Sequence, residues 1–126
     1  MAKKILIIED DRFLRKVINK KLSKEKYQVI EAVDGEQGLR VIKEKKPDLV
    51  LLDLVLPEIN GFEVLARMKK DPTISNIPVI ILSNLGERDE VKKGLESGAD
   101  DYLIKAHFNP GEIVGRIEFI LKKRKK

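Results

Sequence analysis

The chain has no cysteine, which removes disulfides and thiolate chemistry together. It has one histidine, His107, outside any histidine-bearing helical motif. That placement suits a loop or helix cap better than a phosphorelay histidine. The conspicuous apolar stretch "LVLLDLVLP" (49–57) falls far short of the roughly 20 residues that cross a bilayer. After Met-Ala-Lys-Lys only "ILII" precedes Glu9, short of the roughly seven apolar residues of a secretory h-region. Cytoplasmic residence without a membrane partner is therefore the expectation. Neither GxGxxG nor GxxxxGK[ST] occurs, which argues against a nucleotide-binding loop. There is also no internal repeat, low-complexity segment or interdomain linker. One domain over 1–126 is expected, with no output domain.

The charge excess is local. Net charge is +5, and "KKRKK" at 122–126 alone accounts for it. The remainder is near neutral, which argues against direct nucleic-acid binding. The tail reads as a solvated helix end whose cations complement the helix dipole. With 42% hydrophobic and 37% charged residues over 126 positions, the composition is that of a single globular domain.

What the chain does have is alternation. Apolar runs fall at even intervals: "ILII" (5–8), "YQVIEA" (27–32), "LVLL" (49–52), "VIIL" (79–82) and "YLI" (102–104). Between them lie helical stripes. Phe13, Leu14, Val17, Ile18 and Leu22 form one; Leu39 and Ile42, then Val64, Leu65 and Met68, form the next two. Ile113, Val114, Ile117, Ile120 and Leu121 form the last. In "GERDEVKKGLESGAD" (86–100) only Val91, Leu95 and Ala99 form an apolar stripe, so that helix should be the most weakly packed. Asp11, Asp34, Asn60 and Asn109 sit where helix caps belong, with Pro110 at a first helical position. Five strands alternating with five helices predict an α/β, doubly wound (βα)5 sheet. Its site should lie beyond the carboxyl ends of the strands, where strand order reverses.

Those strand ends carry the chemistry. "EDD" (Glu9, Asp10, Asp11) follows the first strand, Asp53 ends the third, Ser83 and Asn84 end the fourth, and Lys105 ends the fifth. An ionised carboxylate in an apolar run loses hydration worth several kcal/mol unless it is paired or binds a metal. If the first and third strands are neighbours, Glu9, Asp10 and Asp53 share one crevice and repel. A hard cation such as Mg2+ resolves that conflict. Lys105 can face phosphate oxygens, and the Ser83 hydroxyl can donate one hydrogen bond. Together these are the parts needed to form an aspartyl phosphate. Taken singly, each residue reads better as a cap, a turn residue or a solvated charge. Their joint placement at four strand ends favours the site.

The motifs "ILIIEDD", "DLVLPEINGFEVL", "PVIILS" and "GADDYLIKA", in this order and spacing, resemble the receiver domain of two-component response regulators over essentially the whole chain. The resemblance implies a flavodoxin-like three-layer sandwich with a parallel sheet in order 2-1-3-4-5. It implies that Asp53 accepts a phosphoryl group from a sensor histidine kinase or phosphotransfer protein. Asp10, Asp53 and the Val55 carbonyl would hold Mg2+, with Glu9 acting through water. Ser83 and Lys105 would hold the phosphoryl group, and Tyr102 would turn inward after Ser83 as the switch. The helix over 87–97, the strand with Tyr102 and the last helix would form the output face for a downstream protein target. Arg88, Asp100, Asp101 and Arg116 on that face suggest a weak homodimer on phosphorylation. Such a chain is a signalling protein, catalysing only its own phosphoryl transfer and slow autodephosphorylation.

Two positions depart from the family pattern. Ala106 replaces the usual proline after the lysine, where the family has a cis bond. A cis bond before alanine costs ~3–4 kcal/mol, so a trans Lys105–Ala106 bond is expected. Asn84 is larger than the small residue usual after the hydroxyl. A phosphatase of the haloacid dehalogenase type also uses a strand-end aspartate, but needs a second aspartate where Val55 stands. A pseudo-receiver acting only as a docking surface is disfavoured by the intact Glu9, Asp10, Asp53 and Lys105.

Overall fold

The computed structural model describes residues 2–84, 88–107 and 109–123 of the 126, the side chains of Arg88 and His107 excepted. The readings placed on those two side chains, on Glu87 and on tail residues 124–126 lie outside the described residues. Five strands, β1 (Lys4–Ile8), β2 (Gln28–Ala32), β3 (Leu49–Asp53), β4 (Val79–Ser83) and β5 (Asp101–Ile104), alternate with five helices. These are α1 (Arg12–Lys24), α2 (Gly35–Lys45), α3 (Gly61–Lys70), α4 (Arg88–Glu96) and α5 (Pro110–Lys123). All strand pairs are parallel, in the order β2-β1-β3-β4-β5. The flavodoxin-like doubly wound fold is therefore present, with order reversing between β1 and β3.

The aliphatic strands are covered on both faces, which is why they read as unbroken runs rather than alternations. Side chains alternate across the sheet. Leu6, Ile8, Val50, Leu52 and Ile81 pack with Leu39, Ile42, Val64, Leu65 and Met68 on one side. Ile5, Ile7, Leu49, Leu51, Ile80 and Leu82 pack with Ile18, Leu22, Ile113, Val114 and Ile117 on the other. Each such aliphatic contributes roughly 1.5–3 kcal/mol by leaving water. No helix among the described residues is long and apolar enough to cross a membrane.

Helix starts follow the cap residues. Asp11, Asp34 and Asn60 accept from the backbone N–H of Leu14, Gln37 and Glu63 at 3.1, 2.8 and 3.0 Å. Asn109 does the same for Glu112 at 3.0 Å, with Pro110 opening α5. Two stripe assignments need correction. Phe13 is 78% exposed, because the buried face of α1 begins one residue later and runs through Ile18 and Leu22. Leu95 is 45% exposed, and Gly94 faces the sheet in its place, against Ile81 and Tyr102. Packing on α4 thus comes from a glycine, partly buried Val91 and the following Ala99. The helix is more weakly anchored than its stripe implied.

Candidate functional site

The apolar run of β3 delivers its last residue, Asp53, to the carboxyl edge of the sheet with 3% exposure. Leu54 and Leu56 then turn back into the core, while Val55 stays exposed. Glu9 follows β1 with 1% exposure, and Asp10 beside it faces solvent. Because β1 and β3 are adjacent, carboxylate oxygens of Glu9, Asp10 and Asp53 all lie within 4.8 Å of one another. Lys105 enters from the far side of the sheet, at the start of a short 3-10 turn, Lys105–His107. Its Nζ donates to Asp53 Oδ2 at 3.0 Å and lies 2.8 Å from Glu9 Oε2. The Lys105–Ala106 bond is trans, as expected, since no cis peptide occurs among the described residues. Glu9, Asp10, Asp11, Asp53, Val55, Asn84 and Lys105 line a cleft of about 270 Å³.

The backbone completes these positions. Val55 N–H donates to Asp53 Oδ1 at 3.2 Å, and Asp11 N–H donates to Glu9 Oε1 at 3.1 Å. Gly61, the first residue of α3, approaches so closely that a Cβ would sit 2.3 Å from the Asp53 carbonyl oxygen. One ammonium thus faces three carboxylates. Burial pushes the Glu9 carboxyl up to about 7; Lys105 opposes the rise, and the Asp53 charge adds to it. For Lys105 burial alone would lower the pKa, but its contacts with Glu9 and Asp53 raise it above the ordinary value. Glu9 Oε2 is buried and receives no hydrogen bond among the described residues, its contact with Lys105 being an ion pair outside hydrogen-bonding geometry. Hard oxygen donors, excess negative charge and an acceptor without a donor fit a hydrated divalent cation.

Ser83 and Tyr102 form a second group behind the cleft. Ser83 is fully buried at the end of β4 and does not line the cleft. Tyr102 on β5 is 9% exposed; burial raises its phenol above the ordinary value, and the neighbouring Ser83 hydroxyl acts against that rise. The tyrosine ring is therefore already largely inward. On the expected output face, Arg116 Nη1 donates to Asp101 Oδ2 at 2.7 Å within the chain. Asp100 Oδ1 accepts from Val79 N–H at 3.0 Å. These charges have internal partners, so pairing between subunits would require exchange.

The sequence reading missed one polar network. Arg15, 12% exposed, pairs through Nε with Glu31 Oε1 at 2.8 Å and donates from Nη1 to the Glu9 carbonyl oxygen at 2.8 Å. The available signal was Glu31, a lone charge inside "YQVIEA".

Residues 5–118 match the family model of the response regulator receiver domain. The phosphate regulon transcriptional regulatory protein PhoB of Pseudomonas aeruginosa is 41% identical over 123 residues, covering 98% of this chain and 53% of that protein. The chain spans about half the length of the curated relatives it matches. Among solved structures, the Francisella response regulator 1452 receiver domain superposes with a TM-score of 0.91 at 31% identity, covering 98% of this chain and 100% of that one. The BeF3-activated N-terminal receiver domain of Klebsiella pneumoniae RstA gives 0.87 at 30% identity, covering 94% and 98%. A strand-end carboxylate cluster on a 2-1-3-4-5 sheet and a family match over most of the chain point the same way: this chain belongs to the response regulator receiver domains of two-component systems.

Proposed function

We propose that residues 1–126 act as one receiver unit that is phosphorylated on Asp53 and reports the event through α4, β5 and α5. The observation that carries this reading is Asp53 itself. It is a nearly buried carboxylate at a strand end, held by Lys105 at 3.0 Å and crowded by Glu9 and Asp10. Its Oδ attacks the phosphorus of a histidine kinase or phosphotransfer-protein phosphohistidine. The O–P bond forms as the N–P bond breaks, and the electron pair returns to the imidazole nitrogen.

Receiver domains generally bind Mg2+ at an acidic pocket, and here Asp10, Asp53 and the Val55 carbonyl would hold it directly, with Glu9 acting through water. When bound, the ion offsets carboxylate repulsion and developing phosphoryl charge. Lys105 turns from its carboxylates toward the phosphoryl oxygens as a fixed cation. The Ser83 hydroxyl donates to a phosphoryl oxygen while accepting from Tyr102, since one hydroxyl can do both. Tyr102 would then be held inward more firmly, carrying the change to α4 through its contact with Gly94. A downstream protein, or a second copy in a weak homodimer, would read that face. The dimer route requires Arg116 and Asp101 to exchange their internal partner.

Acetyl phosphate with Mg2+ should add one base-labile phosphoryl group, seen by intact mass, and Asp53→Asn should not be labelled. Equal labelling of that variant would overturn the assignment. The RstA receiver is described as BeF3-activated, so beryllofluoride should bind here when Mg2+ is present. Hydrogen exchange should then change most over 84–105; changes confined to the opposite side of the sheet would refute the output face.

A further inference from the structure

Glu9 stands where β1 has ended and α1 has not begun. Its N–H is held by the Ala32 carbonyl at 3.1 Å. Its own carbonyl oxygen accepts from a side chain, Arg15 Nη1, at 2.8 Å. That guanidinium is fixed in turn. Its Nε pairs with Glu31 Oε1 at 2.8 Å, Glu31 Oε2 accepts from Asn19 Nδ2 at 2.6 Å, and Asn19 Oδ1 accepts from Ser23 Oγ at 2.9 Å. The chain of bonds ties α1 to edge strand β2 and ends on the backbone of the acidic pair. Burial acts to raise the Glu31 carboxyl, yet the bonds from Asn19 and Arg15 bring it below its usual value, so the pair is ionised.

We propose that Arg15, oriented by Glu31 and Asn19, is the positioning residue that sets Glu9 and Asp10 at the spacing a divalent cation needs. The inference rests on the cleft being the Mg2+ site described above. Lys105 and the Asp11 N–H each hold one oxygen of the Glu9 carboxylate, but both contacts act on Glu9 and neither sets its spacing from Asp10. Arg15 holds the carbonyl of the peptide between Glu9 and Asp10, and fixing that peptide fixes the relative placement of the two Cα atoms from which both side chains reach. The fork geometry of a guanidinium serves two acceptors at once, which an ammonium cannot do with the same definition. A bland alternative is that Arg15 and Glu31 only clamp α1 onto β2. The two roles differ in what they move. A clamp changes stability, whereas a positioning residue changes metal affinity in protein that is still folded.

The test is calorimetric Mg2+ titration of the whole chain as wild type, Arg15→Met, Arg15→Lys and Glu31→Gln, with folding checked by circular dichroism. Removing groups that orient metal ligands typically weakens metal binding roughly 10–100-fold. Arg15→Met should reach the lower end of that range, Arg15→Lys should recover part of it, and Glu31→Gln should lose less. At saturating Mg2+, acetyl phosphate labelling should return to within about twofold of wild type, because the reacting groups are intact. In the metal-free protein, exchange of the Asp11 amide should accelerate in Arg15→Met. Wild-type affinity in folded Arg15→Met would overturn the inference. Should that variant not fold, unchanged affinity in Glu31→Gln would overturn it instead. Failure of the wild type to bind Mg2+ would overturn the proposed function, and this inference with it.

Discussion

Stability of the metal-free domain should fall as pH rises from about 5 to 8, against the usual trend for a carboxylate. Glu9 is 1% exposed, and its carboxyl titrates at about 7 rather than 4.5. A raised folded pKa means that the folded chain binds more protons than the unfolded chain between those values. The contribution is complete below about pH 4.5 and is lost as pH passes about 7. At 1.36 kcal/mol per pKa unit the whole interval is worth roughly 3 kcal/mol, most of it expressed between about pH 5 and 8. For a chain of this length that is a Tm change of roughly 10 °C. Urea unfolding in chelator, followed by far-UV circular dichroism because the chain has no tryptophan, measures it directly. Glu9→Gln is the control, since it keeps every other titrating group and fixes position 9 as neutral. The wild-type curve should drop relative to the Glu9→Gln curve across this range. Excess Mg2+ should flatten the drop, because an ion that binds only the folded, ionised cleft stabilises it by mass action. Parallel curves in chelator would refute the account of Glu9 as a buried carboxylate under strain from its surroundings.

Three further substitutions probe the same geometry. Gly61→Ala places a Cβ 2.3 Å from the Asp53 carbonyl oxygen and 2.7 Å from Leu54 Cα; with backbone on both sides, a loss of roughly 2 kcal/mol or more is expected by urea titration. Gly94→Ala would gain about 1 kcal/mol on helix propensity alone. Its Cβ would lie 2.8 Å from Ile81 Cδ1 and 3.0 Å from a Tyr102 ring carbon, so no gain is expected, and the Tyr102 ring resonances should shift; a clear stabilisation would count against that packing. Asp10→Asn should weaken Mg2+ binding more than Glu9→Gln, while leaving metal-free stability unchanged or slightly higher, as titration and unfolding in chelator will show.

Legibility in the sequence followed the strength of the local physics. The strands were readable because burial on both faces makes them continuous aliphatic runs, as at Leu49–Leu52. Helix starts were readable because a cap residue acts within three positions, as Asp34 does on Gln37. The acidic cluster was readable because strand ends and strand order together determine which loops meet. What failed were details that depend on the angle at which a helix lies on the sheet. Phe13 and Leu95 both fit a helical period, yet both point outward. At Gly94 a Cβ would crowd Ile81 Cδ1 at 2.8 Å and the Tyr102 ring at 3.0 Å, and no periodicity marks a glycine as the buried residue. The Arg15 network was invisible for a related reason. Its partners come from α1, from β2 and from the backbone of Glu9, and no spacing in sequence joins them.

Lys105 shows why such a cleft needs a lysine at this position rather than a neutral donor. Among the described residues it is the one cation paired with the carboxylates of Glu9 and Asp53, and two nearly buried carboxylates without it would face the full cost of desolvation. That service does not depend on the cis geometry usual in the family, since Lys105 reaches both partners from a trans bond at the head of a 3-10 turn. Under the proposed function the same ammonium must later face phosphoryl oxygens. The exchange is possible because a bound metal would neutralise the carboxylates as it frees the lysine. One cation then serves two states in turn, the carboxylates first and the phosphoryl oxygens after them.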